Sequence, residues 1–358
     1  MNTEIVRGFW ARLTRPIVAQ SPMDGVTDAV ARHMAAVHGG SDLTITEFVA
    51  VEGLTHGAVA LLEDLRYAPS DRPVVAQLYG VDPAAFREAA AIACALGFDG
   101  VDVNMGCPAN TVARRGAGAA LIQTPALARE IVRAVRAGIA DWANSGTLRE
   151  LVSHPKVRRL VAVRSEPLGD ATRRPIPVSV KTRIGYDDVV VERWAGELAE
   201  EQPVAITFHG RTLKQLYSGS ADWDAIGRAA DRLRGSGILV LGNGDLRDRQ
   251  SALQRVADYG LDGALIGRAT VGNPWALNGV VADTTTRLRT AVEHAELFER
   301  TFRARPFVAV RKHLHGYARG FDGASDLRKA LMLARSAAEV RHLIERVLGS
   351  SAEVRRAA

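Results

Sequence analysis

The chain has 358 residues, 47% of them hydrophobic and 24% charged, with a formal net charge of +6. This is the balance of a soluble globular protein, long enough for one large domain and a smaller one. No apolar run approaches the roughly 20 residues of a membrane helix, and "MNTEIVRGFWARLTRP" lacks the apolar core of a signal peptide.

The two cysteines, Cys94 and Cys107, make no disulfide framework and fit a reduced, cytoplasmic setting. No Cys/His cluster has metal-ligand spacing, so no metal is expected. Residues 301–358 hold 12 Lys/Arg against 5 Asp/Glu, a net of +7, which leaves −1 for the rest. Such a tail is either a solvated basic helical face or a polyanion-binding module.

In chain order, eight short apolar segments are predicted as strands. They are "PIVAQSPM" (16–23), "DLTITEF" (42–48), "PVVAQLYG" (73–80), "GVDVNMG" (100–106), "IPVSVKTR" (176–183), "VAITFHGR" (204–211), "GILVLGNGD" (237–245) and "LDGALIGR" (261–268). Runs apolar on both faces suit a parallel sheet. Helical patterns lie between them. "DPAAFREAAAIACALG" opens with Asp82 as N-cap and Pro83 at the first position, and Gly97 ends it. "TPALAREIVRAVRAG" repeats the design with Thr124, Pro125 and Gly138. "DDVVVERWAGELAEE" and "LRDRQSALQRVADYG" follow the fifth and seventh strands.

Eight β/α units in series imply an α/β TIM (β/α)8 barrel. The alternative, an open doubly wound sheet, lacks a strong GxGxxG turn. An insertion at about 140–174 separates the fourth helix from the fifth strand. "VRRLVAVRS" within it reads as an extra strand, and the insertion is expected at the N-terminal face of the barrel. The β pattern stops near residue 285. The division is therefore 1–285 for the barrel and 286–358 for a basic helical domain, whose "SAAEVRHLIERVLG" carries a capping box, Ser336 and Glu339, and closes at Gly349.

Chemistry in such barrels gathers at the C-terminal strand ends. There the sequence offers Met23 and Asp24, Glu47, Gln77, Asn104 and Cys107, Lys181 and Arg183, His209 and Arg211, Asn243 and Asp245, Gly267 and Arg268. One such polar residue is unremarkable; so many on one rim imply a site. "GNGD" and "IGRATVGNPW" end the last two strands, where glycine N–H groups and Arg268 would hold a phosphate, unless these are ordinary turn glycines. Lys181 and His209 could stabilise charge at the N1–C2=O edge of a reduced flavin, and Gln77 and Asn243 could bond a planar ring. The set fits FMN better than NAD. A thiol at a strand-end loop can be a nucleophile, a metal ligand or a proton donor. Cys107 has no second cysteine nearby, and as a proton donor it would complete reduction of a polarised C=C bond. Cys94, inside a helix among alanines, is expected only to pack.

"SPMDGVTD", "QLYG", "DVNMGCPANTVARRGAGAAL", "VKTRIG", "HGRTLKQLYSGSADW", "GNGD", "IGRATVGNPW" and the tail's "VRKHLHGYARGF" occur in the order seen in tRNA-dihydrouridine synthases. The chain resembles that family over roughly 16–345, apart from the insertion. The resemblance implies an FMN enzyme that reduces the C5–C6 bond of uridines in the tRNA D-loop, with NADPH as electron source. It implies that Cys107 protonates C5 after hydride reaches C6. Pro22, Met23, Asp24, Gln77, Lys181 and His209 match FMN-ring contacts, and Asn243, Gly244, Asp245, Gly267 and Arg268 match the ribityl-phosphate region. Asn104, Arg183 and Tyr217 match positions near the target uracil. Arg311, Lys312, His313, Arg328 and Lys329 are candidates for tRNA-backbone contact. The base must be turned out of the folded RNA to reach the pocket. The expected state is a monomer that binds tRNA and no membrane. An FMN barrel acting on a free pyrimidine or enone, and a tRNA-binding protein without catalysis, are the competing readings.

Overall fold

In a computed structural model of the chain, the described residues are 7–144, 146–216 and 218–357, with side chains to 349. Nine strands form one parallel sheet: β1 (Ile17–Gln20), β2 (Thr44–Ile45), β3 (Val49–Ala50), β4 (Val74–Tyr79), β5 (Gly100–Met105), β6 (Val178–Arg183), β7 (Ala205–His209), β8 (Leu239–Asn243) and β9 (Gly263–Ile266). Their order is β1-β9-β8-β7-β6-β5-β4-β2, and β3 also pairs with β4. The predicted second strand is thus split in two, and eight positions ring a barrel.

Side chains close the remaining seam. Asp42 Oδ2 accepts from Val18 N at 2.7 Å, and Ser41 Oγ accepts from Gln20 N at 3.0 Å. Asp42 N in turn donates to Val18 O at 3.1 Å. An aspartate and a serine therefore supply the hydrogen bonds that a longer β2 would give.

The barrel interior changes character along its axis. Phe9 and Trp10 stack with ring centroids 5.1 Å apart and pack with Ile17, Leu43, Val75, Leu239 and Leu265. Further along the strands the inward side chains become polar. Register places Gln77 beside Asp102, Asp102 beside Ser179, and Asn104 beside Lys181. In-register neighbours on parallel strands share a face, so these groups meet in one layer under the C-terminal rim.

The helices are α1 (Ala29–Val37), α2 (Val51–Thr55), α3 (Pro83–Ala95), α4 (Asn110–Ala113), α5 (Pro125–Ala143), α6 (Leu148–Leu151), α7 (Pro155–Ser165), α8 (Val191–Ala199), α9 (Trp223–Leu233), α10 (Arg249–Tyr259), α11 (Thr284–Thr301), α12 (Arg311–Tyr317), α13 (Ala324–Leu331) and α14 (Ala337–Ala357). Asp82 caps α3 as expected, accepting from Ala84 N. Two ends differ from the sequence reading: α5 runs past Gly138 to Ala143, and α14 runs past Gly349. Neither glycine has a positive φ, so neither forms the left-handed cap that ends a helix.

The predicted strand "VRRLVAVRS" is a helix, α7. His154 caps it through Nδ1 to Lys156 N, Pro155 fills its first position, and Val157 and Val161 are buried one turn apart. Those two valines join the main core with α3, so the insertion lies along the outside of that helix. Its last residues do reach the N-terminal side of the barrel, where Arg174 Nη2 pairs with Asp99 at 3.0 Å, just before β5.

Helices α11 to α14 build a second apolar cluster from Leu288, Phe298, Leu314, Tyr317, Leu331 and Val340. Ala29, Val30 and Met34 of α1 and Trp275 belong to the same cluster, so the tail shares its core with the barrel. Among the described residues, no helix is long and apolar enough to cross a membrane.

Candidate active site

Cys107 lies just beyond β5, buried at 9% exposure. Its loop is anchored by Asn104, whose Oδ1 accepts from Gly106 N at 3.0 Å and Cys107 N at 2.9 Å. Asn104 Nδ2 donates to Gln77 Oε1 at 2.9 Å. Ala119 N donates to Cys107 O at 3.2 Å, which folds the Gly-rich loop back over the cysteine. Burial pushes the thiol up, with a further push from Asp24, while Arg183 and Lys181 oppose it. The thiol therefore stays protonated at neutral pH and faces a cationic rim. Cys94 is 1% exposed in the core, and burial raises it to about 12.

Positive charge converges beside the cysteine. Lys181 Nζ donates to Asn243 Oδ1 at 3.1 Å, and Asn243 Nδ2 donates to Leu265 O at 2.8 Å. Burial and Arg183 lower Lys181 to about 8, which leaves it mostly charged at neutral pH. Arg183 ties the Cys107 loop to its neighbour: Nε donates to Gly106 O at 2.8 Å and Nη1 to Thr212 O at 2.9 Å. His209 is driven down to about 2 by burial and by Lys181, Arg183, Arg211 and Arg268. Its Nδ1 is buried with no hydrogen-bond partner. A neutral, unsatisfied ring nitrogen amid four cations suits a polar, anionic ligand.

The loops after β8 and β9 continue the rim. Gly244 has φ +130, and a Cβ there would press on the Ala221 methyl. Asp245 has both carboxylate oxygens occupied: Oδ2 by Arg211 Nη2 at 2.6 Å and Ala221 N at 2.9 Å, Oδ1 by Arg268 Nη2 at 2.9 Å. It accepts from both arginines and so orients them. A Cβ on Gly267 would touch only Met23 Sδ at 3.5 Å and Ser21 Cβ at 3.8 Å. The backbone there is open to a close approach.

A family model for dihydrouridine synthase matches residues 18–141 and 158–352. The chain belongs to the dihydrouridine synthase family. Forming dihydrouridine is a reduction, so members of the family are oxidoreductases. The internal gap in the match, residues 142–157, falls within the insertion. The probable tRNA-dihydrouridine synthase of Staphylococcus epidermidis is 33% identical over 347 residues, covering 94% of this chain and 95% of that protein. The probable tRNA-dihydrouridine synthase 2 of Bacillus subtilis is 32% identical over 351 residues, covering 95% and 97%. Among solved structures, morphinone reductase in complex with tetrahydroNAD has a TM-score of 0.42 at 12% identity, covering 75% of this chain and 88% of that one.

For a dihydrouridine synthase family member, the placement of the tail is informative. Lys312 Nζ bonds Gly25 O, and His313 Nε2 donates to Val26 O at 2.9 Å. Both clamp the turn that carries Pro22, Met23 and Asp24. His313 is 3% exposed, so the sequence-based expectation of a tRNA-backbone contact is corrected: its ring joins tail to barrel and is closed to solvent. Arg311 Nε donates to Ala334 O at 2.8 Å, and Arg328 Nη1 to Ala318 O at 2.9 Å, both within the tail. Lys329 is exposed and pairs with Asp326 at 3.1 Å. Tyr217 lies outside the described residues.

Sequence reasoning passed over Ser21, Asp102 and Ser179. Ser21 Oγ approaches Asn243 Oδ1 at 3.5 Å. Ser179 Oγ donates to Asp102 Oδ1 at 2.6 Å, and Asp102 Oδ2 accepts from Gln77 Nε2 at 2.8 Å. Period-two counting back from Asn104 and Lys181 would have found the last two.

Proposed function

We propose that this protein reduces the C5–C6 double bond of uridines in the tRNA D-loop, with FMN as resident cofactor and NADPH as electron donor. The single observation that carries the reading is the buried Cys107 thiol on a backbone anchored by Asn104, at the same rim as Lys181 and Arg183. FMN, when bound and reduced, would supply the hydride equivalent that the reduction needs. The residues present fit that group. His209 offers an unsatisfied buried nitrogen, Lys181 a cation for the ring's electron-rich edge, and Gly267 with Arg268 an open, basic cradle for a phosphate.

The chain's own part is to bind, orient and protonate. Cys107 Sγ gives its proton to C5 while the electron pair of the former double bond forms the new C5–H bond. Burial keeps that proton on sulfur until it is needed. The turned-out base must reach the rim beside Cys107, and the tail's excess positive charge supports RNA binding.

The test is a single turnover. The purified protein is reduced with NADPH without oxygen and mixed with tRNA lacking dihydrouridine. Flavin reoxidation with new dihydrouridine in the D-loop is the expected result. Response only to free pyrimidines or enones, or tRNA binding without flavin, would overturn the proposal. Cys107→Ala is expected to retain flavin and its reduction by NADPH, and to lose most reoxidation by tRNA, about 10²–10⁴-fold for removal of a general acid. Wild-type reoxidation in that variant would remove Cys107 from the role.

A further inference from the structure

We infer that Asp102 is a positioning residue for Cys107, acting through a one-way chain of side-chain amides. Asp102 is 2% exposed and sits one layer below the Cys107 loop. Burial raises its carboxyl to about 6, while Ser179, Gln77 and Lys181 work against the rise. Both of its oxygens accept, Oδ1 from Ser179 Oγ at 2.6 Å and Oδ2 from Gln77 Nε2 at 2.8 Å, as a carboxylate does.

That accepting pattern agrees with the polarity of everything above it. The Ser179 hydroxyl donates to Oδ1, and Gln77 must turn its NH2 toward Oδ2. Gln77 Oε1 then faces Asn104 and can only accept, so Asn104 must donate with Nδ2. Asn104 Oδ1 is left facing Gly106 N and Cys107 N, the two donors it holds. The two ends of a carboxamide are nearly alike in shape, so packing alone does not choose between them. Reversal of Asn104 would set its NH2 against the two loop N–H groups, and reversal of Gln77 would set its NH2 against that of Asn104, donor against donor in each case. The acceptor that Asp102 offers Gln77 at the bottom and the two loop N–H groups at the top select the same orientation, and Asp102 so braces the backbone from which Sγ projects.

The inference rests on the proposed acid role of Cys107 for its meaning in the reaction. Its test involves neither turnover nor RNA, so the two stand or fall separately. The full chain as purified is treated with iodoacetamide at one pH, and each cysteine is read by peptide mass spectrometry. Cys94, at 1% exposure, reports any loss of fold. Asp102→Ala is expected to speed alkylation of Cys107 about tenfold, with Cys94 unmodified, as the amide chain loses its fixed end. Asp102→Asn is expected to restore the parent rate within about twofold. Its Oδ1 can accept from Gln77 while its Nδ2 donates to the Ser179 oxygen.

A parent-like rate in Asp102→Ala, or equal acceleration in both variants, would overturn the inference. If Asp102→Ala does not fold, amide hydrogen exchange on the unaltered chain decides. Gly106 and Cys107 amides exchanging as slowly as those of β5 support the chain. Exchange at the rate of an unstructured peptide would sink it.

Discussion

In the role proposed for it, the Cys107 thiol must hold its proton in neutral solution and release it to carbon. At Cys107 burial does the holding, and Lys181 and Arg183 make release easier by favouring the thiolate. This gives a pH expectation with a definite sign. Desolvation disfavours the charged form, so the alkylation rate of Cys107 should reach half its plateau above the ordinary thiol value of about 8.5. Arg183→Met removes a charge that lowers the pKa and persists throughout this pH range, so the midpoint should move higher still. A midpoint below that of free cysteine, or a downward move in Arg183→Met, would contradict the assigned electrostatics. The same residues mark how far the sequence could be read. Cys107, Asn104 and Gln77 stand at strand ends beside glycines and are visible in isolation. Asp102 is visible only once strand parity has placed it under Asn104, because an aspartate inside an apolar strand carries no motif of its own.

Elements follow the same logic with different failures. The eight strand positions were legible because two-sided burial forces unbroken apolar runs. The insertion was not, because three valines in "VRRLVAVRS" favour strand by composition, while the spacing of Val157 and Val161 and the Pro155 start favour helix. Gly138 misled in a related way. It resembled a helix end, but it lies inside α5 because α3 passes too close for a side chain, and a Cβ there would run into the Arg87 carbonyl. Gly138→Val should therefore destabilise the protein by about 1–3 kcal/mol, since the two helices must part to admit the side chain. Chemical unfolding would measure it. An unchanged or raised midpoint would show that the helices separate without cost.

At the scale of the whole molecule, barrel and tail meet over a seam that contains a buried carboxyl. Glu47, on the connection between β2 and β3, is 4% exposed, with Oε1 unpaired. Arg305, just beyond α11, reaches it at 3.8 Å and also pairs with Asp64. Burial, Asp28 and Asp64 raise the Glu47 carboxyl to about 7, against the pull of Arg32 and Arg305. In the unfolded chain the same group titrates near 4.5. Between those values the folded protein binds a proton that the unfolded chain does not. The stability contributed by protonated Glu47 is therefore complete below about pH 4.5 and lost as pH rises through about 7. The span corresponds to roughly 3 kcal/mol. Glu47→Gln keeps the shape and cannot ionise. Relative to the parent, its unfolding free energy should improve from pH 5 to pH 8 by an amount of that order. Urea unfolding at pH 5, 6, 7 and 8 would show it, and parallel curves for parent and variant would mean that Glu47 is already ionised in the folded seam, with Arg32 and Arg305 as full counter-charges.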